Sequence, residues 1–282
     1  SAIFDTKKLG YKSSLVAFEI EEKDIPNAVK ILNSHPGISH NYERNHSFNI
    51  WFTIAVAPNS NLGLEKSIEI LAKKTNAKNY IILPTLKLFK ISVKLDTTNK
   101  EEKQEKLIQK SFTNLDLSEY HYKFIKLLQQ DIEFKSEPFK FIVDQLNISY
   151  DELFKIIQEF INSGVMRRFA SILNHRKAGF SANAMVVWDI DEKKSQDIGE
   201  IAASFSAVSH CYLRPQYPNW KYNLFTMIHG KTEDDTQKTI EDIANKIEYR
   251  DKMALYSSKE FKKVRIIYFS DEFENWEKEN NN

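Results

Sequence analysis

Ser39-His40-Asn41-Tyr42-Glu43-Arg44 returns farther along the chain as Ser209-His210-Cys211-Tyr212-Leu213-Arg214, and Gly10-Tyr11-Lys12-Ser13-Ser14-Leu15-Val16-Ala17-Phe18 returns as Gly179-Phe180-Ser181-Ala182-Asn183-Ala184-Met185-Val186-Val187. A basic pair precedes each glycine segment, Lys7-Lys8 and Arg176-Lys177, and Asn49-Ile50 answers Asn223-Leu224 a few residues out of step. An offset of about 170 residues is far longer than a solenoid repeat, so it marks two like modules flanking a different middle.

Hydrophobic periodicity gives each module its order. In the first, residues 14–20 read as a strand, and Asp24 is expected to cap a short helix with Ala28, Val29 and Leu32 on one face. Strands around 38–44 and 48–57 follow, then Leu64, Ile68 and Leu71 at helical spacing, then a strand from Tyr80 to Ile91. The second module repeats this with a strand at 180–190, a helix carrying Ile198, Ile201, Ala202 and Phe205, and strands at 207–214 and 221–229. Thr232 and Asp235 cap a helix with Ile240, Ile243 and Ile247, and the last strand lies within 253–269. The order βαββαβ is the split βαβ, ferredoxin-like pattern. Two such modules are expected to pair through their sheets, with a pocket between or beneath them.

The middle reads as helical. Asp116 and Glu119 are spaced as a capping box before Leu117, Phe124 and Leu128; Ser136 and Pro138 open a second helix; Ser149 and Glu152 cap a third that Gly164 ends. With Val165 to Phe169 behind them, the three helices predict a winged helix-turn-helix. The fold class is therefore α+β, two ferredoxin-like modules with a winged helix between them. The expected boundaries are 1–95 for the first module, 96–115 for a charged linker, 116–169 for the winged helix, 170–272 for the second module and 273–282 for a polar tail that frays. Ser1-Ala2-Ile3-Phe4-Asp5 reads like the inside of a fold, so residues upstream are expected.

Composition narrows the function. The 282 residues carry 40 Lys+Arg against 39 Asp+Glu, a formal charge of +1, which argues against a chain built to coat nucleic acid or an anionic membrane. The third helix of the winged motif sets Asp151, Glu152 and Glu159 against Lys155 alone, the wrong sign for a major-groove reader, so specific DNA binding is not expected. Only one cysteine is present, Cys211, which excludes an internal disulfide and any Cys-based metal cage and fits a reducing, cytoplasmic setting. No apolar run approaches the ~20 residues of a membrane span. Phosphate loops, GxSxG elbows and HExxH motifs are absent from the sequence.

The repeated His-x-Tyr-x-Arg triplet is the sharpest chemical feature. On a strand, residues i, i+2 and i+4 share a face, so His40, Tyr42 and Arg44 align, as do His210, Tyr212 and Arg214, with Cys211 pointing away. A single triplet would be an ordinary amphipathic strand end; two at matching positions point to function. Histidine moves protons near neutrality and arginine offers a planar fork to carboxylates, a pairing suited to an anionic substrate that needs proton transfer. The first module adds His46, Asn49 and Trp51, and the second adds Tyr217, Trp220, Tyr222, Asn223 and His229 with His175-Arg176-Lys177 ahead of its entry strand. These aromatics are either walls for a large flat ligand or a core cluster. His35 and His121 read as surface or helix residues.

Longer motifs carry a family resemblance. The segments from Phe4 to Ser13, from His40 to Thr53 and from Leu83 to Ile91 resemble one subunit type of siroheme decarboxylase. Met166-Arg167-Arg168-Phe169, His175 to Asn183, His210-Cys211-Tyr212-Leu213-Arg214-Pro215 and Tyr222 to Gly230 resemble the other. The resemblance spans nearly the whole chain and implies a fused two-subunit enzyme of Lrp/AsnC-like architecture, an internal pseudo-dimer that could form homodimers. It also implies a winged helix before each module, where this chain shows one. The implied reaction removes the C12 and C18 acetate carboxyl groups of siroheme, giving 12,18-didecarboxysiroheme and two CO2 on the route to heme b or heme d1. No separate cofactor or protein metal site is implied, since the macrocycle can serve as electron sink and the iron belongs to the substrate; a bound heme or an axial histidine is an alternative role. His210 and His175 are then the expected catalytic acids, with His40 and His46 their equivalents. Arg214, Tyr212, Arg176, Lys177, Arg44, Tyr42, Trp51, Tyr222, Asn223 and His229 are the expected substrate contacts. A heme-responsive Lrp/AsnC-type regulator and a tetrapyrrole carrier are the competing readings.

Overall fold

The computed structural model describes residues 2–91, 112–169 and 182–281. His175, Arg176 and Lys177, and the linker run from Lys100 to Lys110, lie outside the described residues.

The first module runs β2 (Lys12–Glu19), α1 (Ile25–Ser34), β3 (Ile38–Arg44), β4 (Ile50–Val56), α2 (Gly63–Lys74) and β5 (Asn79–Leu83), followed by β6 (Lys87–Ile91); β1 (Ala2–Phe4) precedes it. The second runs β8 (Ala182–Asp189), α6 (Ser195–Ser204), β9 (Val208–Leu213), β10 (Leu224–Gly230), α7 (Glu233–Ala244) and β11 (Asp251–Lys263). Between them lie α3 (Glu119–Leu128), α4 (Lys140–Leu146), α5 (Tyr150–Ser163) and β7 (Met166–Phe169), and α8 (Glu272–Asn280) follows. Each module buries one helical layer against its sheet. Ala28, Leu32, Ile68 and Leu71 meet Val16, Phe18 and Phe52 in the first; Ile198, Ala202, Ile240 and Ile243 meet Val186, Trp188 and Leu224 in the second.

The modules exchange strands. A nine-stranded sheet has the order β5-β2-β4-β3-β11-β8-β10-β9-β6, and its two edge strands are joined by the three residues between Leu83 and Lys87. The expected single strand from Tyr80 to Ile91 is thus two: β5 pairs with β2 of its own module, and β6 with β9 of the other. Pro84 stands at the break because it has no N–H for a ladder bond. β11 makes the same exchange without a break. Residues 251–256 pair with β8 and 257–263 with β3, with irregularities at 257–259 and 260–262 that bend the strand across. The two crossings join the modules' strands into one sheet, with β5 and β6 as its edge strands.

The winged helix docks on the ends of the first module. β1 pairs with the wing strand β7, and Phe4, Leu9, Tyr11 and Phe273 join Phe124, Leu128, Leu153 and Phe160 in one core. Four local expectations change. Ser118, not Asp116, caps α3, with its N–H donating to His121 Nδ1 at 3.1 Å, so His121 replaces the usual acidic partner. Asp24 makes no side-chain cap, because a 3-10 turn over Glu22–Asp24 already leads into α1. The expected frayed tail is the end of α8, which buries Phe273 and Trp276 and is tied to the first module by Ser60 donating to Glu277. His35, read as a surface or helix residue, is buried beneath that helix with Trp276 edge-on at 4.3 Å.

Candidate functional site

Both triplets align as the strand period requires. His210 and Tyr212 stack at 6.0 Å, and the Arg214 guanidinium lies 4.8 Å from the Tyr212 ring. His40 and Tyr42 sit at 6.2 Å, with Arg44 at 5.6 Å from Tyr42. Cys211 takes the opposite face, its Sγ 3.7 Å from Gly199 O under α6, where burial pushes the thiol up to about 12.

Each triplet arginine is buried with one guanidinium nitrogen on a backbone carbonyl and its Nε without a partner among the described residues. Arg44 Nη1 donates to Leu255 O at 2.7 Å, and Arg214 Nη1 donates to Leu83 O, each acceptor lying on the last strand of the opposite module. Both side chains are buried, and burial lowers each to about 10 while leaving it charged at neutrality. The pair therefore pins the strand exchange from both sides. Asn223 is likewise structural: Ile190 N–H donates to its Oδ1 at 3.0 Å, and its Nδ2 donates to Ile190 O at 3.1 Å. Asn49 clamps Ile20 in the same way.

Most of the aromatics expected as ligand walls fill the space between the modules. Trp51 is 1% exposed, donates to Phe48 O at 2.7 Å and packs on Trp220 at 5.3 Å, within a cluster that includes Val187, Phe225 and Leu255. Tyr222 borders this cluster and donates to Asp251 at 2.7 Å, which with burial raises its phenol to about 12. His46 sits in the β3–β4 turn against Trp220, its Nδ1 accepting from Phe48 N–H, and is not brought to His40.

His40 lies beside a cleft of about 220 Å³ lined by Ile3, Phe4, Thr6, Gln129, Ile266 and Tyr268. That is below the ~300 Å³ at which small-molecule pockets begin. Burial, reinforced by Lys263, pulls the His40 ring down and favours its neutral form.

Around His210 the polar groups are denser. Ser209 Oγ lies 2.7 Å from His210 Nδ1 and 2.6 Å from His229 Nε2, and His229 Nδ1 lies 2.5 Å from Asn183 Oδ1. Tyr212 is raised by burial, opposed by the nearby charges of Arg214 and Arg167. Arg167 is exposed on β7 and opposes the burial-raised phenol of Tyr268 as well, so one wing cation acts on both tyrosines. The sequence does not mark Ser209 or Asn183 as site residues, although the repeated Ser-His dipeptide was the available signal for the first; it offers Arg167, with Arg168, as a residue that could touch a nucleic-acid backbone or equally serve the second module.

A family model of the AsnC-like ligand binding domain matches residues 8–90 and 177–262. A siroheme decarboxylase of Hydrogenobacter thermophilus is 39% identical over 277 residues, 98% of this chain and 82% of that protein. The chain belongs to the siroheme decarboxylase family. Siroheme decarboxylases also include separate subunits that match in part: the beta subunit of Methanosarcina barkeri is 40% identical over 144 residues, 51% of this chain and 95% of that one. The crystal structure of the siroheme decarboxylase NirDL superposes with a TM-score of 0.79 at 33% identity, covering 100% of this chain and 82% of that one. A second structure of that enzyme, in co-complex with an iron-uroporphyrin III analogue, gives 0.78 at 32% identity. No helix among the described residues is long and apolar enough to cross a membrane.

Proposed function

We propose that the protein is a siroheme decarboxylase whose productive pocket is lined mainly by the second module. The observation that carries the reading is the 39% identity to such an enzyme across 98% of the chain, which favours enzyme over regulator. The reaction takes the C12 and C18 acetates of siroheme to methyl groups with release of two CO2, on a route to heme b or heme d1. In each step the bond between the acetate CH2 and its carboxylate breaks, CO2 leaves, and the electron pair is spread into the macrocycle. One proton then returns to that carbon.

His210 is the proposed donor of that proton, with His175 as its partner. His210 stacks on Tyr212 and faces the denser polar set. Siroheme carries eight carboxylates, and burying them without cations would be prohibitive. Arg44 and Arg214 each spend Nη1 on a backbone carbonyl and keep an unpartnered Nε, and Arg167, Arg176 and Lys177 are proposed to share the task with them. The first module contributes across the strand exchange through β6, which lies beside β9. The test is CO2 release by His210→Ala and His175→Ala proteins that still bind siroheme. Each is expected to lose turnover, and undiminished release from both contradicts the assignment.

A further inference from the structure

The contacts behind His210 form a chain with a direction. Asn183 Oδ1 only accepts, so the 2.5 Å contact places a proton on His229 Nδ1. Neutral His229 then presents a lone pair at Nε2, 2.6 Å from Ser209 Oγ. The serine hydroxyl has one proton, for which His229 Nε2 at 2.6 Å is a far closer acceptor than Met227 O at 3.4 Å, and its oxygen accepts from His210 Nδ1 at 2.7 Å. Neutral His210 is thereby held as the Nδ1–H tautomer with its lone pair at Nε2. When the ring is an imidazolium, the proton it can give away is the one on Nε2.

The first module lacks this chain although its backbone is the same. His229 lies opposite Asn183 and its N–H donates to Ala207 O at 3.0 Å; Ala55 lies opposite Ser13 and its N–H donates to Gly37 O at 2.9 Å. Alanine thus stands where the second module has the relay histidine. Among the described residues, Ser39 Oγ meets His40 Nδ1 at 2.9 Å, and beyond it only the hydroxyl of Thr53, also at 2.9 Å, which can donate or accept and so imposes no direction.

We infer that Asn183, His229 and Ser209 are positioning residues that fix the tautomer of His210 and aim Nε2 as its proton-transfer atom, a role built into the second module alone. The inference rests on the decarboxylase reading for its purpose, but not for its geometry. It is tested by long-range proton–nitrogen NMR of 15N-histidine-labelled protein at pH 8.5 without siroheme, with His210 assigned by loss of its signals in His210→Gln. The expected wild-type pattern is Nδ1–H, moving toward the Nε2–H form favoured by free histidine in Ser209→Ala and in His229→Phe. An Nε2–H ring in the wild type, or a pattern unmoved by both substitutions, overturns the relay. In turnover, Ser209→Ala is expected to lose about tenfold or more in kcat with little change in KM, and Ser209→Thr to recover much of it. Because the tautomer is read without substrate, the wrong tautomer in an active enzyme overturns the relay alone. The expected tautomer in a protein that releases no CO2 supports the relay and overturns the decarboxylase reading.

Discussion

Replacing Asn223 by alanine separates a fold residue from a substrate contact. Its carboxamide is 3% exposed and holds both the N–H and the C=O of Ile190, at 3.0 and 3.1 Å, where β8 ends and the chain turns toward α6. Alanine leaves both backbone groups unpaired in the second module's core. Each buried polar group stranded in this way costs about 1–3 kcal/mol, so the loss is about 2–6 kcal/mol. For a chain of this size that lowers the thermal midpoint by about 4–24 °C. Differential scanning fluorimetry measures the shift, and absorbance titration with siroheme at low temperature measures binding by the protein that remains folded. The expected outcome is a large stability loss with affinity largely kept, and Asn49→Ala, which frees Ile20, should behave alike. A midpoint within about 1 °C of wild type together with lost siroheme binding would refute the clamp, since a substitution outside the core shifts stability by only about 0.5 kcal/mol.

Arg214→Met removes the donor to Leu83 O, and hydrogen exchange at residues 83–86 should accelerate by about tenfold or more, in line with a lost charged hydrogen bond of about 1.5–3 kcal/mol; unchanged exchange counts against the pin. His35, lowered by burial and then by Lys262 from 6.5 to about 3, stays neutral in the fold while the unfolded chain takes up its proton. Stability from this group is therefore complete above about pH 6.5 and falls on acidification by about 1.4 kcal/mol per pH unit, and denaturant unfolding of His35→Gln should show a shallower decline between pH 7 and 5 than wild type. In a gel shift at physiological salt no specific, salt-surviving DNA complex is expected, because α5 exposes Asp151 and Glu152 and leaves Glu159 half-buried; a complex resisting competitor DNA would revive the regulator.

The element order was readable because both modules keep strict apolar periods, and the triplet geometry followed from the strand repeat alone. What local pattern could not carry was partnership across the modules. Pro84 signalled a break in the strand after Leu83, yet nothing nearby says that β6 leaves for β9. Arg44 and Arg214 have the residue type of a carboxylate ligand, but their acceptors, Leu255 O and Leu83 O, lie 211 and 131 residues away in the other module. Trp51 and Trp220 show the same ambiguity, since an aromatic ring lines a core or a ligand with equal ease until its neighbours are known. His35 was misread because the helix covering it begins at Glu272. The Ser209–His229–Asn183 contacts need three strands in register, which no single segment encodes.

Mass spectrometry of siroheme incubated with the pure protein tests the central claim most directly. The account expects the substrate ion to give way to a species lighter by two CO2, with the iron and the macrocycle kept. Siroheme recovered at its original mass from a complex that demonstrably forms would contradict it and leave a binding protein in its place.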